Sequence, residues 1–509
     1  MSGDNRGEAS TATRNDVPTE ESAKNSAEAE SAGGAREKLA RRSAYAIALA
    51  FFVLYAGYSL RRHYLLRTSG YDLGIFEQAV RAYSRFQAPI IPLKGPDVHV
   101  LGDHFHPILV TLAPFYRIWP GAQTLLVAQA LLIALSIVPV ARLAIVRLGV
   151  GVGLWLAACY ALSWGIQGAL GFDFHEIAFA VPLLALAMVA LVERRWRAAV
   201  AWTLPLLLVK EDMGLIVAAI GGYLLWRGRR RAGAALVVAG LAAVVLTVKV
   251  VLPFFNDGRF SYSVYLDPDK NLWSLALSFP AGLVEQPRKL VLLTLLLLLT
   301  GGAAVRTPLA LIAVPVLLSR LVSTNPVHWE VGRVHYNAVL MPILFVALIE
   351  VLPAMMADGR LRMRLWRRTA IVFPGIFALM MHPTPWGITN PQNYADTPHS
   401  AAGRRLLAMV PDGAAVAAGN SLAPHLTGRC RVVIFPPLHG ERVDWVVTDT
   451  RVKTIPHKSV NQESAARAGL WPPTAEQVHG ALRALPSQGF TKVAEDDGVV
   501  LYRRTAAAP

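Results

Sequence analysis

The feature that most constrains this chain is a series of long apolar runs separated by short clusters of arginine. A helix needs about 20 predominantly apolar residues to cross the hydrocarbon of a bilayer. Such runs occur near 44–60, 122–140, 149–166, 177–192, 232–253, 288–304, 308–322, 336–356 and 369–382. Another, 198–226, is interrupted by Lys210, Glu211 and Asp212. Three adjacent charges cannot face lipid. Two short helices meeting at a break that faces a cavity are therefore expected there. Residues 107–120 extend the preceding loop or make a partial span. Composition points the same way, with 54% hydrophobic and 17% charged residues in 509, where a soluble domain carries about a quarter charged. The expected fold is a polytopic α-helical membrane protein with about eleven transmembrane helices.

The formal charge is +16, from 50 basic and 34 acidic residues. A nucleic-acid partner is a poor explanation, because the basic residues sit beside apolar runs as the positive-inside rule requires. With the N-terminus cytoplasmic, the clusters at 41–42, 142–147, 194–197, 227–231, 306 and 360–368 all fall inside. Every polar motif then falls outside, with Arg61, Arg62 and Arg67 as the exception. This predicts a multi-pass plasma-membrane protein whose C-terminal region is extracytoplasmic. Residues 1–43, rich in Ala, Glu, Ser and Gly, read as a disordered cytoplasmic tail. No cleavable signal peptide is visible in that polar stretch. Cys159 and Cys430 lie far apart and have no metal-ligand spacing.

Residues 44–382 form the membrane domain, with a first outer loop at 61–106. Ile75, Phe76, Ala79, Val80, Ala82 and Tyr83 repeat at helical spacing in that loop, which suggests a helix lying along the interface. Residues 383–509 read as a small α/β domain. GAAVAAG, RVVIFP, DWVVTDT and GVVLYRR have strand character, and TAEQVHGALRAL has helical periodicity.

Five polar stretches carry candidate chemistry. Asp72 stands in SGYDLGIFEQ, just after the first span. A carboxylate there is suited to act as general base on a hydroxyl, or to cap the following helix. Asp103, His104 and His106 form GDHFHP, and Asp173, His175 and Glu176 form GFDFHE. Both clusters have the donor chemistry for zinc, manganese or magnesium, or for phosphate contact. Structural roles in loop packing are the alternative. Lys210 is suited to hold a phosphate, or to form an internal pair with Glu211 or Asp212. Arg333, with His335 beside it in HWEVGRVHY, is suited to bidentate phosphate binding or to an ordinary loop ion pair. No Walker loop, GxSxG, GxGxxG or HExxH motif occurs, which argues against a nucleotide-driven pump, a serine hydrolase or a zinc protease.

In order and spacing, YDLGIFEQA, LGDHFHPILVTLAPFY, GFDFHEIAFAVP, LLLVKEDMGL and APHLTGR resemble the bacterial membrane family called domain of unknown function 2079. That family is grouped by resemblance with the C-type (GT-C) membrane glycosyltransferases, among them protein mannosyltransferases and the aminoarabinose transferase of lipid A. The resemblance implies a GT-C-like fold and transfer of a sugar from a polyprenyl-phosphate carrier at the outer leaflet to an envelope acceptor, with inversion. It implies that Asp72 is the essential acidic residue of the first loop. Here that loop shows one Asp within YDLG rather than an adjacent Asp–Glu pair, and Glu77 is the alternative. Lys210, Glu211, Asp212, Arg333, His335 and Glu77 are the expected substrate-binding residues. Asp103, His104, His106, Asp173, His175 and Glu176 are the expected lining, with a divalent metal as the one candidate cofactor. A transporter or flippase of a lipid-linked substrate and a non-enzymatic envelope scaffold are the competing readings.

Overall fold

The computed structural model describes residues 20–265, 272–385, 387–437, 440–451 and 473–505. Among them, five helices are long and apolar enough to cross a membrane: Gly33–Tyr64, Ala122–Leu148, Val150–Gly171, Arg230–Phe254 and His335–Ala357. Shorter apolar helices cover Pro107–Ile118, Ile177–Val192, Trp196–Leu208, Met213–Trp226 and Pro308–Val322. The expected count of about eleven full spans therefore resolves into long helices and broken ones. Prolines and polar breaks are the reason. Pro308 starts a 3-10 turn before the helix Val314–Leu321, and the segment from Trp196 to Trp226 breaks at residues 209–212, as the three charges there require.

The helix that leads into the first loop starts at Glu20 and runs to Tyr64. This corrects the disordered reading for residues 20–43; residues 1–19 lie outside the described residues. Ala, Glu, Lys and Arg favour helix once a partner surface is present. Glu37 supplies one, accepting a 2.6 Å hydrogen bond from Arg142, which also bonds Glu193 at 2.6 Å. The basic cluster 360–368 begins at Arg360, the N-cap of the helix Leu361–Met380, and its other arginines lie within that helix.

Several polar groups inside the bundle find partners, as an apolar medium favours. Tyr55 donates to the Ala161 carbonyl at 2.7 Å, and the Ser136 and Tyr160 hydroxyls are 2.7 Å apart. The helices Met213–Trp226 and Arg230–Leu246 pack through glycine. A Cβ on Gly221 would lie 2.8 Å from the Gly233 carbonyl oxygen, and one on Gly240 would lie 2.4 Å from that of Gly214. Small residues at seven-residue intervals thus let two backbones touch.

The C-terminal region is a five-stranded sheet with β1 (Ala415–Ala418), β2 (Arg431–Ile434), β3 (Trp445–Asp449), β4 (Phe490–Asp496) and β5 (Val499–Arg504). The order is β2-β1-β3-β5-β4. β1 is parallel to β2 and β3, and β5 is antiparallel to β3 and β4. The four segments with strand character form β1, β2, β3 and β5, each with consecutive buried residues. β4 carries no such signal, since it is an edge strand with only Phe490 buried. The helix Pro398–Ala408, absent from the sequence reading, starts at a capping box on Thr397 and Ser400.

The first-loop helix forms at Ile75–Ser84, as its spacing predicts, and it is packed between two hydrophobic cores. Both of its faces are buried. Ile75 and Ala79 join Leu406, Val432 and Val447 of the C-terminal domain, while Phe76 and Val80 pack with Leu109, Leu125 and Phe174. The exposed apolar side chains belong instead to Phe115 and Ile118 of the next segment.

The glycine contact gives a direct test. Gly221→Val and Gly240→Val are each expected to destabilise the protein by about 1–3 kcal/mol through overpacking. Gly222→Val, where a Cβ meets nothing within 4 Å, is the control. Thermal denaturation in detergent separates them; equal melting of all three would contradict the backbone contact.

Candidate functional site

Asp72 sits in the turn that joins the first helix to Ile75–Ser84. Its backbone has φ 83° and ψ −84°, near the γ-turn of positive φ, which is rare and strained. Such strain persists only where surrounding structure enforces it. Here Gly70 N–H donates to the Asn420 carbonyl at 2.6 Å, and Tyr71 N–H to the Asn420 side chain at 2.9 Å. Ser69 N–H donates to Asp173 at 2.8 Å. A Cβ on Gly70 would fall 2.9 Å from that of Ala423, so the close approach needs glycine at that position. The motif APHLTGR thereby gains a role: its turn clamps the loop that presents Asp72.

Four ion pairs gather the remaining motifs. Lys210 bonds Glu176 at 2.9 Å, joining the KED break to GFDFHE. His104 Nδ1 lies 2.6 Å from Glu211, and Phe105 N–H donates to the same carboxylate at 3.1 Å, joining GDHFHP to the break. Lys94 bonds Asp103 at 2.6 Å, and Tyr262 donates to that carboxylate at 2.8 Å. Arg62 stands 3.9 Å from Asp173. His175 and Glu176 approach within 2.8 Å but are misaligned for a hydrogen bond. The His175 ring stacks on His335 with centroids 3.4 Å apart, and Phe76 meets both His106 and His175 edge-on.

Burial and pairing divide the charges. Burial and then Glu176 push the Asp72 carboxyl up to about 7, against the pull of Lys94 and Lys210. Burial likewise raises Asp173 to about 6, with Arg62 opposing. Burial also acts on Glu211, but His104 outweighs it and holds the carboxyl near 2. Glu176 is held well below the carboxylate range by His175 and Lys210 despite its burial, and Lys210 is raised above the lysine range by Glu176. Burial lowers His106 and His175 to about 4, so both are neutral at pH 7. Among the described residues, Asp72 is the carboxylate of this cluster whose side chain has neither ion pair nor hydrogen bond to another residue, apart from Asp212, which caps no helix and leaves Oδ1 buried without a partner.

The structure thus brings together Asp72, Asp103, His104, His106, Asp173, His175, Glu176, Lys210, Glu211 and His335. Arg333 is half-buried two residues from His335. Glu77 is not in the group. It faces the other way, accepting a 3.0 Å hydrogen bond from Tyr116 and one from Thr427. Burial raises it to about 7. Its position ties the loop helix to the C-terminal domain, which corrects its assignment to substrate.

The expected metal set is also corrected. Among the described residues, no three His, Cys, Asp or Glu side chains are gathered to hold an ion. Asp103 and Glu176 are closed on lysines, and Asp173 turns to Ser69 N–H and Arg62. A divalent ion would have to displace two ammonium groups, so these residues do not fit one.

Sequence reasoning missed Lys94 and Tyr262, which lie in loop stretches with no motif around them, and Gln129, a single amide in the apolar run 122–140. Gln129 donates to the Asp173 carbonyl at 2.6 Å and accepts from His175 N–H at 2.9 Å, holding the GFDFHE turn from both sides. The exceptional arginines are explained as well. Arg61 bonds the Tyr394 carbonyl and Asp396, Arg62 bonds the Arg67 carbonyl, and Arg67 bonds the Gln392 carbonyl.

The family described as predicted membrane protein (DUF2079) matches residues 62–501, which include all of these positions except Arg61. The chain belongs to the DUF2079 family. Two solved structures are similar to this DUF2079 protein, both of ArnT from Cupriavidus metallidurans. One is bound to undecaprenyl phosphate, with 12% identity, TM-score 0.49, and coverage of 90% of this chain and 98% of that one. The other is the apo state, with 12% identity, TM-score 0.46, and coverage of 91% and 99%. At this identity no residue is carried from ArnT to the DUF2079 chain. No curated protein matches it.

Removing one partner of a buried ion pair strands the other. Lys210→Met in this DUF2079 protein is therefore expected to cost about 3–5 kcal/mol, and adding Glu176→Gln is expected to restore most of it. A double-mutant cycle on thermal unfolding checks this. A double variant no more stable than the single one would contradict the pairing.

Proposed function

We propose that this chain is a GT-C-type membrane glycosyltransferase that moves a sugar from a polyprenyl-phosphate carrier to a hydroxyl of an envelope acceptor. The reaction takes place on the outer face of the plasma membrane, with the N-terminus cytoplasmic. The observation that carries this reading is Asp72: a carboxyl on strained backbone, without a side-chain partner among the described residues, raised to about 7 by burial and then Glu176 against the pull of Lys94 and Lys210. A group poised near the working pH is what general-base chemistry needs.

In this mechanism the acceptor hydroxyl gives its proton to Asp72 as its oxygen attacks the anomeric carbon. The bond from that carbon to the phosphate oxygen breaks, and the electron pair leaves with the polyprenyl phosphate. One displacement inverts the anomer. Lys210 gives one N–H to Glu176, which leaves donors for phosphate oxygens, and Arg333 assists as a bidentate partner. His335, with both ring nitrogens buried and unpartnered, and Asp212, with a buried oxygen in the same state, suit the hydroxyls of a sugar, since buried polar groups call for partners. Glu211 and Glu176 hold the lysine and histidines in place.

The test is transfer from a labelled polyprenyl-phosphate sugar by purified full-length protein. Asp72→Asn is expected to lower turnover by roughly 10²- to 10⁴-fold. Equal turnover would remove Asp72 from the mechanism, and no transfer by the wild type from a range of carriers would favour a flippase. Because the base must be ionised, the wild-type rate is expected to rise with pH through about 7 and then level off. Stability moves the other way. A raised carboxyl pKa means that ionisation costs the folded state, so stability falls as pH climbs toward 7. Asp72→Asn, which cannot ionise, is expected to melt no lower than the wild type at pH 8. A lower melting temperature would mark Asp72 as structural.

A further inference from the structure

A second cavity lies on the far side of the first-loop helix from the Asp72 cluster. Its volume is about 380 Å³, within the range of small-molecule sites. One wall is the loop helix and the segment after it, with Arg81, Arg85 and Gln87; the other is the C-terminal domain, with Gly413, Cys430 and Arg431. Three guanidinium groups line this cavity and no carboxylate does. The nearest acid acting on Arg81 is Glu77, which is committed to Thr427 and Tyr116.

Arg81 is held in place. Its Nη1 donates to the Thr427 carbonyl at 2.6 Å and to the Cys430 carbonyl at 2.9 Å, while its Nε is buried without a partner. Among the described residues, no carboxylate pairs with Arg85 or Arg431, both exposed side chains. Like charges converging on a concave surface repel unless an anion joins them, and the fork of arginine matches phosphate oxygens bidentately. Beside Arg85, Phe86 is 88% exposed with Arg117 stacked over its ring at 4.4 Å, and Ile118 is 83% exposed. Exposed aromatic and aliphatic side chains close to this cavity are what a lipid-facing surface carries.

We infer that the cavity between the first-loop helix and the edge strand β2 binds a phosphate group, held by Arg81, Arg85 and Arg431. Because the two walls come from the catalytic loop and from the C-terminal domain, the bound anion clamps one to the other. The phosphate belongs either to a soluble ligand or to an anionic lipid headgroup.

The test uses the full chain and separates these sources. In neutral detergent, pyrophosphate is titrated by calorimetry. In nanodiscs of phosphatidylcholine with or without phosphatidylglycerol, hydrogen exchange is followed over residues 78–92 and 428–434. Wild type is compared with Arg85→Gln, Arg431→Gln and Arg431→Lys, all exposed positions, with melting temperature as the control for folding. Pyrophosphate binding that weakens roughly tenfold for each arginine neutralised, and less for Arg431→Lys, supports a soluble phosphate ligand. Protection by phosphatidylglycerol alone, lost in the Gln variants, supports a headgroup. No binding and no protection, or effects equal in wild type and both Gln variants, would overturn the site. Glycosyl transfer is not a readout here, so failure of this site leaves the Asp72 mechanism to its own test.

Discussion

The buried pair between Lys210 and Glu176 is the constraint on which the rest of the site depends. Lys210 interrupts an apolar segment, and Glu176 stands at the mouth of a separate helix. Neither could be accommodated alone in an apolar surrounding. Their contact fixes where two helix pairs meet, and the neighbouring groups follow from it. Glu211 reaches His104 because it is next to Lys210, and His175 stacks on His335 because it is next to Glu176. The unpaired Asp72 is then raised by burial and by the charge of Glu176, and restrained by the lysines. Pairing, rather than metal ligation, uses up the carboxylates of GDHFHP and GFDFHE.

A second constraint is the docking of the C-terminal sheet on the first loop. Asn420 takes up the backbone of Gly70 and Tyr71, Gln78 bonds the Val432 carbonyl at 2.8 Å, and His63 stacks on His425 with centroids 4.0 Å apart. The loop and the sheet share one hydrophobic core. The C-terminal domain is thus part of the device that shapes the turn at Asp72, and it also supplies one wall of the arginine cavity.

Much of this was legible in the sequence. Charges inside apolar runs identified Lys210, Glu211 and Asp212, because such groups persist only with partners. Short apolar runs containing valine located β1, β2, β3 and β5. The partners themselves were not legible, since pairing is a property of the folded arrangement. Nothing around Lys94 or Tyr262 marks them as the companions of Asp103, and Gln129 is one amide in a long apolar helix. Glu77 carried the same chemical signal as Asp72, and only the orientation of the loop helix distinguishes them. The helix from Glu20 escaped notice because its stability comes from contacts with Arg142 and the neighbouring helix end rather than from its own apolar content.

The proposed site puts the polar motifs on one face of the membrane and the arginine clusters on the other. Labelling of single cysteines with a membrane-impermeant maleimide, in a background lacking Cys159 and Cys430, tests this most directly. Cysteines placed at the exposed positions Gln87, Asp396 and Thr491 are expected to react in intact cells, and those at Arg197, Arg229 and Arg364 only after permeabilisation. Reaction of members of both sets from the same side would contradict the arrangement on which the site is built.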